Sequence, residues 1–282
     1  MYTWVNGKLV QADKAMVSVA DRGFRFGDGV FETIAVHDGV PYQWELHELR
    51  LAKGLRELKI TKPAEDLSAV IRKVMHKNAL ENGFVRLAIS RGVGSKGYLP
   101  TASKPSLVVE VITKDSSQKD HVKLWLSGYC KPSRSALPVA HKTAQGLNST
   151  LALLEASENG CDEALLINKE GQLCEAASGN LFWFEEEVLY TPSLETGCLN
   201  GTTRDAILRL SPYPVRQSQD YLSALKQAEG VFITNCNWGV LPVVELQPNG
   251  WQWGINAMHM EFQELYNDDI EQYCSRYKQD WS

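Results

Sequence analysis

The chain has 282 residues, 44% of them hydrophobic, with 34 acidic against 29 basic side chains and a formal charge of -5. This length supports two moderate domains, each with its own core, and the intermixed charge gives no footprint for nucleic acid or an anionic membrane surface. No apolar run nears the roughly 20 residues that span a bilayer; the opening Met1-Tyr2-Thr3-Trp4-Val5 lacks a basic region followed by an apolar one; and Cys130, Cys161, Cys174, Cys198, Cys236 and Cys274 show no metal-like spacing. A cytoplasmic protein with reduced thiols, no metal, no nucleic-acid partner and no membrane partner is expected.

In chain order, residues 2–5 and 8–10 flank Asn6-Gly7, a two-residue turn signal, and predict a hairpin. An extended run follows at 30–36, His37-Asp38-Gly39 turns the chain, and 40–44 extends again. From Glu45 the period is helical at Leu46, Leu49, Ala52 and Leu55, and it returns after Pro63 at Leu67, Val70, Ile71, Val74 and Met75. Residues 84–90 and 107–112 read as strands joined by a glycine-rich loop. The polar stretch from Lys114 to Asp120 reads as a linker, giving a first domain at 1–113, a linker at 114–121 and a second domain at 122–282. The second domain opens with a strand at Val122, Leu124 and Leu126, then a proline-containing loop and a helix through 147–156. Strands follow at 163–168, 173–175, 181–184 and 188–191, then a helix from about Thr203, a strand at 231–234 and an amphipathic helix after Asn256. Short turns such as Lys169-Glu170-Gly171 predict antiparallel or mixed sheets, an α+β fold rather than a doubly wound one.

Gly92-Val93-Gly94-Ser95-Lys96-Gly97 matches a dinucleotide fingerprint after a predicted strand, but Tyr98-Leu99-Pro100 and another strand follow where a helix is required. The readings left are a flexible hairpin tip or a substrate-contacting loop. Thr202 and Thr203 stand where a helical period begins, which suits a phosphate and equally suits ordinary N-capping. Glu175 ends an apolar strand, either as a solvated strand end or as a partner for a buried ring nitrogen. His47 and Arg50 share a helix face, with solvated residues as the ordinary reading, and Lys142 by itself reads as a surface lysine.

Several segments in order nevertheless resemble the fold-type IV family of pyridoxal-phosphate enzymes, which includes branched-chain and D-amino-acid aminotransferases and aminodeoxychorismate lyase. They are Asp21-Arg22-Gly23-Phe24-Arg25-Phe26-Gly27-Asp28-Gly29-Val30-Phe31-Glu32-Thr33, Glu45-Leu46-His47-Glu48-Leu49-Arg50-Leu51, the Lys142 segment, Asp162-Glu163-Ala164-Leu165-Leu166, Glu175 through Asn180-Leu181-Phe182, Leu189-Tyr190-Thr191-Pro192 and Gly201-Thr202-Thr203-Arg204. The resemblance implies a two-domain fold with a small α/β N-terminal domain and a larger mixed-sheet C-terminal domain, pyridoxal 5'-phosphate carried as a Schiff base on Lys142, and a homodimer. Lys142 would also shuttle the substrate proton, Glu175 would face the pyridine nitrogen, and Arg50 with Thr202 and Thr203 would hold the phosphate. The turn Asn235-Cys236-Asn237 would lie beside the phosphate and the substrate, and Phe31 would line the pocket. In departure from the family, Leu147 stands where an aromatic residue is frequent, Asn200 replaces a proline, and His141 has no assigned role.

The loop from Ser90 to Tyr98, the pair Asn200-Gly201 and the Asn235 turn running into Leu241-Pro242-Val243 resemble the lyase. That enzyme converts 4-amino-4-deoxychorismate to 4-aminobenzoate and pyruvate in folate biosynthesis; Arg91, Lys96 and Tyr98 would then meet its anionic substrate. The segment 141–152 leans the other way, towards an amino-acid aminotransferase of the branched-chain or D-amino-acid type, which needs a 2-oxo acid acceptor. A scaffold that has lost catalysis would lack the lysine or the carboxylate, and both positions are filled.

Overall fold

A computed structural model describes residues 1–101, 104–114 and 119–282. They divide into two units: Met1–Ser116 with His141–Gln145 and Ile270–Ser282, and Ser117–Ala140 with Gly146–Asp269. Of the expected linker at 114–121, residues 115–118 lie outside the described residues. Two segments expected in the second domain cluster with the first. The reason for 141–145 is strand-like bonding: Phe31 N–H donates to the Lys142 carbonyl at 3.1 Å and Ala144 N–H to that of Gly29 at 2.9 Å. For the C-terminus it is aromatic packing, with Tyr273 edge-on to Tyr42 at 5.3 Å and Trp281 to Trp44 at 6.2 Å.

The first unit contains β1 (Tyr2–Val5), β2 (Lys8–Gln11), α1 (Arg22–Phe26), β3 (Gly29–His37), β4 (Val40–Pro41), α2 (Trp44–Glu57), α3 (Leu67–Asn78), β5 (Gly83–Ser90) and β6 (Ser106–Thr113). Asn6 and Gly7 take φ of 48° and 89°, the left-handed pair that a type I' hairpin demands. The expected strand at 40–44 is only Val40–Pro41, because Gln43 turns left-handed and Trp44 already starts α2. Among the described residues the sheet runs β2-β1-β6-β5-β3-β4, antiparallel throughout. Asp21 organises one end: its Oδ1 accepts from Gly23 N–H at the start of α1 and from the Ser90 hydroxyl, and its Oδ2 accepts from Ser106. Along β3 the side chains alternate, so Glu32 and Ile34 are buried while Phe31 and Thr33 are half-buried.

The second unit contains β7 (Val122–Leu126), α4 (Leu147–Glu158), β8 (Glu163–Ile167), β9 (Leu173–Ala176), β10 (Asn180–Glu185), β11 (Val188–Pro192), α5 (Thr202–Leu210), β12 (Val215–Ser218), α6 (Ala224–Gln227), β13 (Gly230–Asn235), β14 (Gly239–Gln247), β15 (Trp251–Gln252) and the start of α7 (Ala257–Trp281). Its sheet runs β12-β11-β10-β13-β14-β7-β8-β9, with β15 on β14. β11–β12, β14–β7 and β7–β8 are parallel and the other pairs antiparallel, so the sheet is mixed as expected. β9 also pairs with β10 at Glu175↔Asn180, so the strands from β10 through β13, β14, β7, β8 and β9 return on themselves. Leu181 and Trp183 pack with Val231, Ile233, Leu124 and Val243 in one buried cluster. Alternate residues of the same strands, Phe182 and Phe232, stack at 5.0 Å, and Phe232 packs against Phe262 of α7 at 5.8 Å. No helix among the described residues is long and apolar enough to cross a membrane.

Candidate active site

In the first unit Lys142 is half-buried in the segment hydrogen-bonded to β3. Its Nζ sits 4.6 Å from the centroid of the Phe31 ring, and the Arg86 guanidinium carbon lies 4.8 Å from the same centroid, both within cation–π range. His141 lies against α2, where a Cβ on Gly54 would come within 3.6 Å of the His141 Cβ. That is ordinary contact, whereas the same Cβ would stand 3.0 Å from Val30 Cγ1, so the missing side chain at Gly54 makes room chiefly for β3.

His47 and Arg50 are not solvated. They project from α2 onto Glu32, whose side chain is 1% exposed: Arg50 Nε donates to Oε1 at 2.8 Å, Arg50 Nη2 to Oε2 at 2.5 Å, and His47 Nδ1 bonds Oε2 at 2.7 Å. Burial opposes the charge on Glu32, but the Arg50 guanidinium, with help from His47, outweighs it and holds the carboxyl down to about 2. Burial also lowers the His47 ring below its ordinary value despite Glu32, so the neutral ring donates Nδ1–H to an ionised acceptor. The Glu32 carboxylate thus fixes the edge of the Arg50 guanidinium that carries Nε and Nη2.

In the second unit Glu175 is 6% exposed, and the solvated strand end is excluded. Its Oε2 accepts from Leu199 N–H at 2.9 Å and Asn180 Nδ2 at 3.2 Å, while Oε1 accepts from the Lys131 ammonium. Asn180 also donates to the Leu199 carbonyl at 2.8 Å. Gly201 is required beside it, because a Cβ there would stand 2.1 Å from Asn180 Oδ1. Helix α5 starts at Thr202 with Gly201 as its N-cap and no side-chain cap bond, so neither threonine performs the ordinary capping role. Thr202 and Thr203 are instead the buried first residues of the helix, where the dipole's positive end lies. The turn after β13 is built by Asn235: its Oδ1 accepts from Asn237 N–H at 2.8 Å and Trp238 N–H at 3.0 Å, and its Nδ2 donates to the Ser178 carbonyl at 3.0 Å. Cys236 in that turn is half-buried, and all six cysteines are thiols outside any disulfide.

The loop after β5 joins β5 to β6 and leads into no helix, which removes the dinucleotide reading. Buried Arg22 ties it down, donating to the carbonyls of Gly97 at 2.7 Å and Tyr98 at 2.9 Å and to Asp28 at 2.8 Å. Arg91 donates to both Asp28 oxygens and to the carbonyls of Leu58 and Lys59. Those bonds make Arg91 an anchor of the loop. Lys96 is exposed, and Tyr98 is 87% exposed with its ring 5.5 Å from that of Phe26.

Four residues of these constellations escaped sequence reasoning: Glu32, Arg86, Lys131 and Asn180. Glu32 could have been found as a carboxylate on the apolar side of an alternating strand, a place that demands a cationic partner. Lys131, distant in sequence from Glu175, carried no such signal.

Residues 29–246 match the family described as amino-transferase class IV. The chain is similar to the "Putative branched-chain-amino-acid aminotransferase" of Methanocaldococcus jannaschii, 32% identical over 253 residues that cover 87% of this chain and 88% of that protein. It is similar also to the aminodeoxychorismate lyase of Bacillus subtilis, 27% identical over 279 residues covering 95% and 94%. In fold it matches the branched-chain aminotransferase of Thermoproteus uzoniensis solved with norvaline, with a TM-score of 0.90 at 24% identity, covering 98% of this chain and 97% of that one.

Proposed function

Because the chain belongs to the amino-transferase class IV family, whose enzymes use pyridoxal 5'-phosphate, we propose that it is a 4-amino-4-deoxychorismate lyase, releasing 4-aminobenzoate and pyruvate. The side chains present fit the cofactor. An amine borne on a half-buried segment, a buried carboxylate gripped by N–H donors, and a helix start free of side-chain capping are the three kinds of group that an aldehyde, a protonated ring nitrogen and a phosphate need. When bound, pyridoxal phosphate supplies an aldehyde that captures amines and a ring that accepts an electron pair.

Lys142 would hold the cofactor and then move the proton at the reacting carbon, its amine placed against Phe31. Glu175 would keep the ring nitrogen protonated; Leu199 N–H and Asn180 prevent it from swinging away. Arg50, braced by Glu32, would hold the phosphate together with Thr202, Thr203 and the turn at Asn235 and Cys236, and Asn237 would face the substrate. The observation that carries the lyase reading is the loop pinned by Arg22, on which Lys96 and Tyr98, with Arg91 beside them, would meet an anionic substrate. The similarity to the Bacillus subtilis lyase along nearly the whole of both chains supports it.

The second reading, an amino-acid aminotransferase, is favoured by the Methanocaldococcus jannaschii relative. The two differ in stoichiometry. Purified enzyme given 4-amino-4-deoxychorismate should form equal 4-aminobenzoate and pyruvate without a 2-oxo acid, and Lys142→Ala should form neither. Amino transfer between amino acids and 2-oxo acids, with no 4-aminobenzoate, would establish the second reading instead. A homodimer is supported by Met16, Val19, Phe24 and Leu99, apolar side chains exposed on the first unit, and is read by sedimentation. Free cysteines support a cytoplasmic site.

A further inference from the structure

Glu175 has a fixed counter-charge. Lys131 is bonded to its Oε1, and the two side chains are 13% and 8% exposed. The lysine is held in place by its own backbone, whose N–H donates to the Ile167 carbonyl at 2.8 Å. Burial alone would lower the Lys131 amine, but the Glu175 charge raises it above its ordinary value, so it remains an ammonium. Of the other titratable groups around the pair, the thiols bring no charge, since burial pushes that of Cys174 up to about 12 and that of Cys198 to about 11, whereas the Arg204 guanidinium is a second positive charge that interacts with Glu175. Arg204 directs its Nη2 to the Pro192 carbonyl and Gln217.

A carboxylate offers about four acceptor positions, two on each oxygen. Leu199 N–H and Asn180 take both positions on Oε2, so the one left over lies on Oε1, the oxygen that Lys131 already bonds. Any proton that Glu175 holds on a ring nitrogen is thus held by an oxygen whose charge is partly offset. Without that offset, the carboxylate would pull harder on the ring proton.

We propose that Lys131 is a positioning residue for the reaction, holding the Glu175 carboxylate in place before the cofactor arrives and moderating its pull on the ring-nitrogen proton afterwards; this rests on the reading of Glu175 given above. The test is spectroscopic. Wild type, Lys131→Met, Lys131→Arg, Glu175→Gln and the Lys131→Met/Glu175→Gln double variant are loaded with pyridoxal 5'-phosphate, and the visible band is titrated with pH. Absence of a Lys142-dependent band in the wild type overturns the cofactor reading itself. Given the band, loss of a positive charge favours the protonated form, so the midpoint of Lys131→Met should rise by about one pH unit. Lys131→Arg should overlay the wild type, and the double variant should titrate like Glu175→Gln. An unchanged midpoint in Lys131→Met, or an equal rise in Lys131→Arg, overturns the proposal. If Lys131→Met does not fold, the double variant should, since removing both halves of a buried pair leaves no orphan charge; a double variant that also fails to fold overturns it.

Discussion

Glu32→Gln removes the charge around which the His47 and Arg50 cluster is built. Glu32 is 1% exposed, and its carboxyl falls from the ordinary 4.5 to about 2 in the folded chain. At about 1.4 kcal/mol per pH unit, that difference corresponds to about 3 kcal/mol of stability. Because the folded value is the depressed one, this contribution is complete above pH 4.5 and is lost as the pH falls towards 2. Glutamine keeps the shape but leaves the Arg50 guanidinium without its counter-charge. Amide hydrogen exchange in α2, read by mass spectrometry, reports the opening of this region locally. At pH 7 the variant should exchange roughly 100-fold faster than the wild type, the equivalent of about 3 kcal/mol, and the ratio should shrink as both are taken below pH 4.5. Equal exchange at pH 7, or a ratio indifferent to pH, would refute the claim that a buried ionised carboxylate organises the cluster.

The glycines of the loop after β5 should separate cleanly. Gly92 takes a φ of +86°, and a Cβ there would stand 1.9 Å from the Lys104 carbonyl oxygen, whereas a Cβ on Gly97 would meet nothing within 4 Å; Gly92→Ala should lower the unfolding free energy, measured by denaturant titration, by more than about 1 kcal/mol, and Gly97→Ala should leave it unchanged. Gly201→Ala should push Asn180 off Glu175 and weaken cofactor binding by roughly tenfold, one hydrogen bond to a charged group, as measured by titrating the apoprotein with pyridoxal 5'-phosphate. Arg22→Ala removes the bonds to Gly97 and Tyr98, and limited proteolysis should then cut within 95–99 while the wild type resists.

Local signals were legible wherever a residue's own chemistry dictates its conformation. Asn6-Gly7 announces its hairpin, and the apolar periods of α2 and α3 announce their helices. Thr202 and Thr203 mark the start of α5, although Gly201 caps it. What could not be read was pairing at a distance. Nothing in the letters says that Lys131 meets Glu175, because they come together through the backbone bond of Lys131 to Ile167 on β8, the strand that pairs with β9. The same holds for the bond of Arg91 to Asp28, whose partners lie 63 residues apart in sequence. The strand expected at 40–44 failed because hydrophobicity was taken for extension, while Trp44 is buried as the first residue of a helix.

The bonding of Lys142 to β3 has a consequence for how the chain tolerates change. The register of Lys142 is set by Gly29, Val30 and Phe31, through backbone bonds to 142 and 144 and the bridge at Thr143, and not by the length of the segments leading into and out of it. Insertions or deletions in the stretch between Ser133 and Leu137, or circularly permuted ends placed there, should therefore leave the amine where it is. Such sites offer the engineer freedom in sequence close to the chemistry without disturbing it.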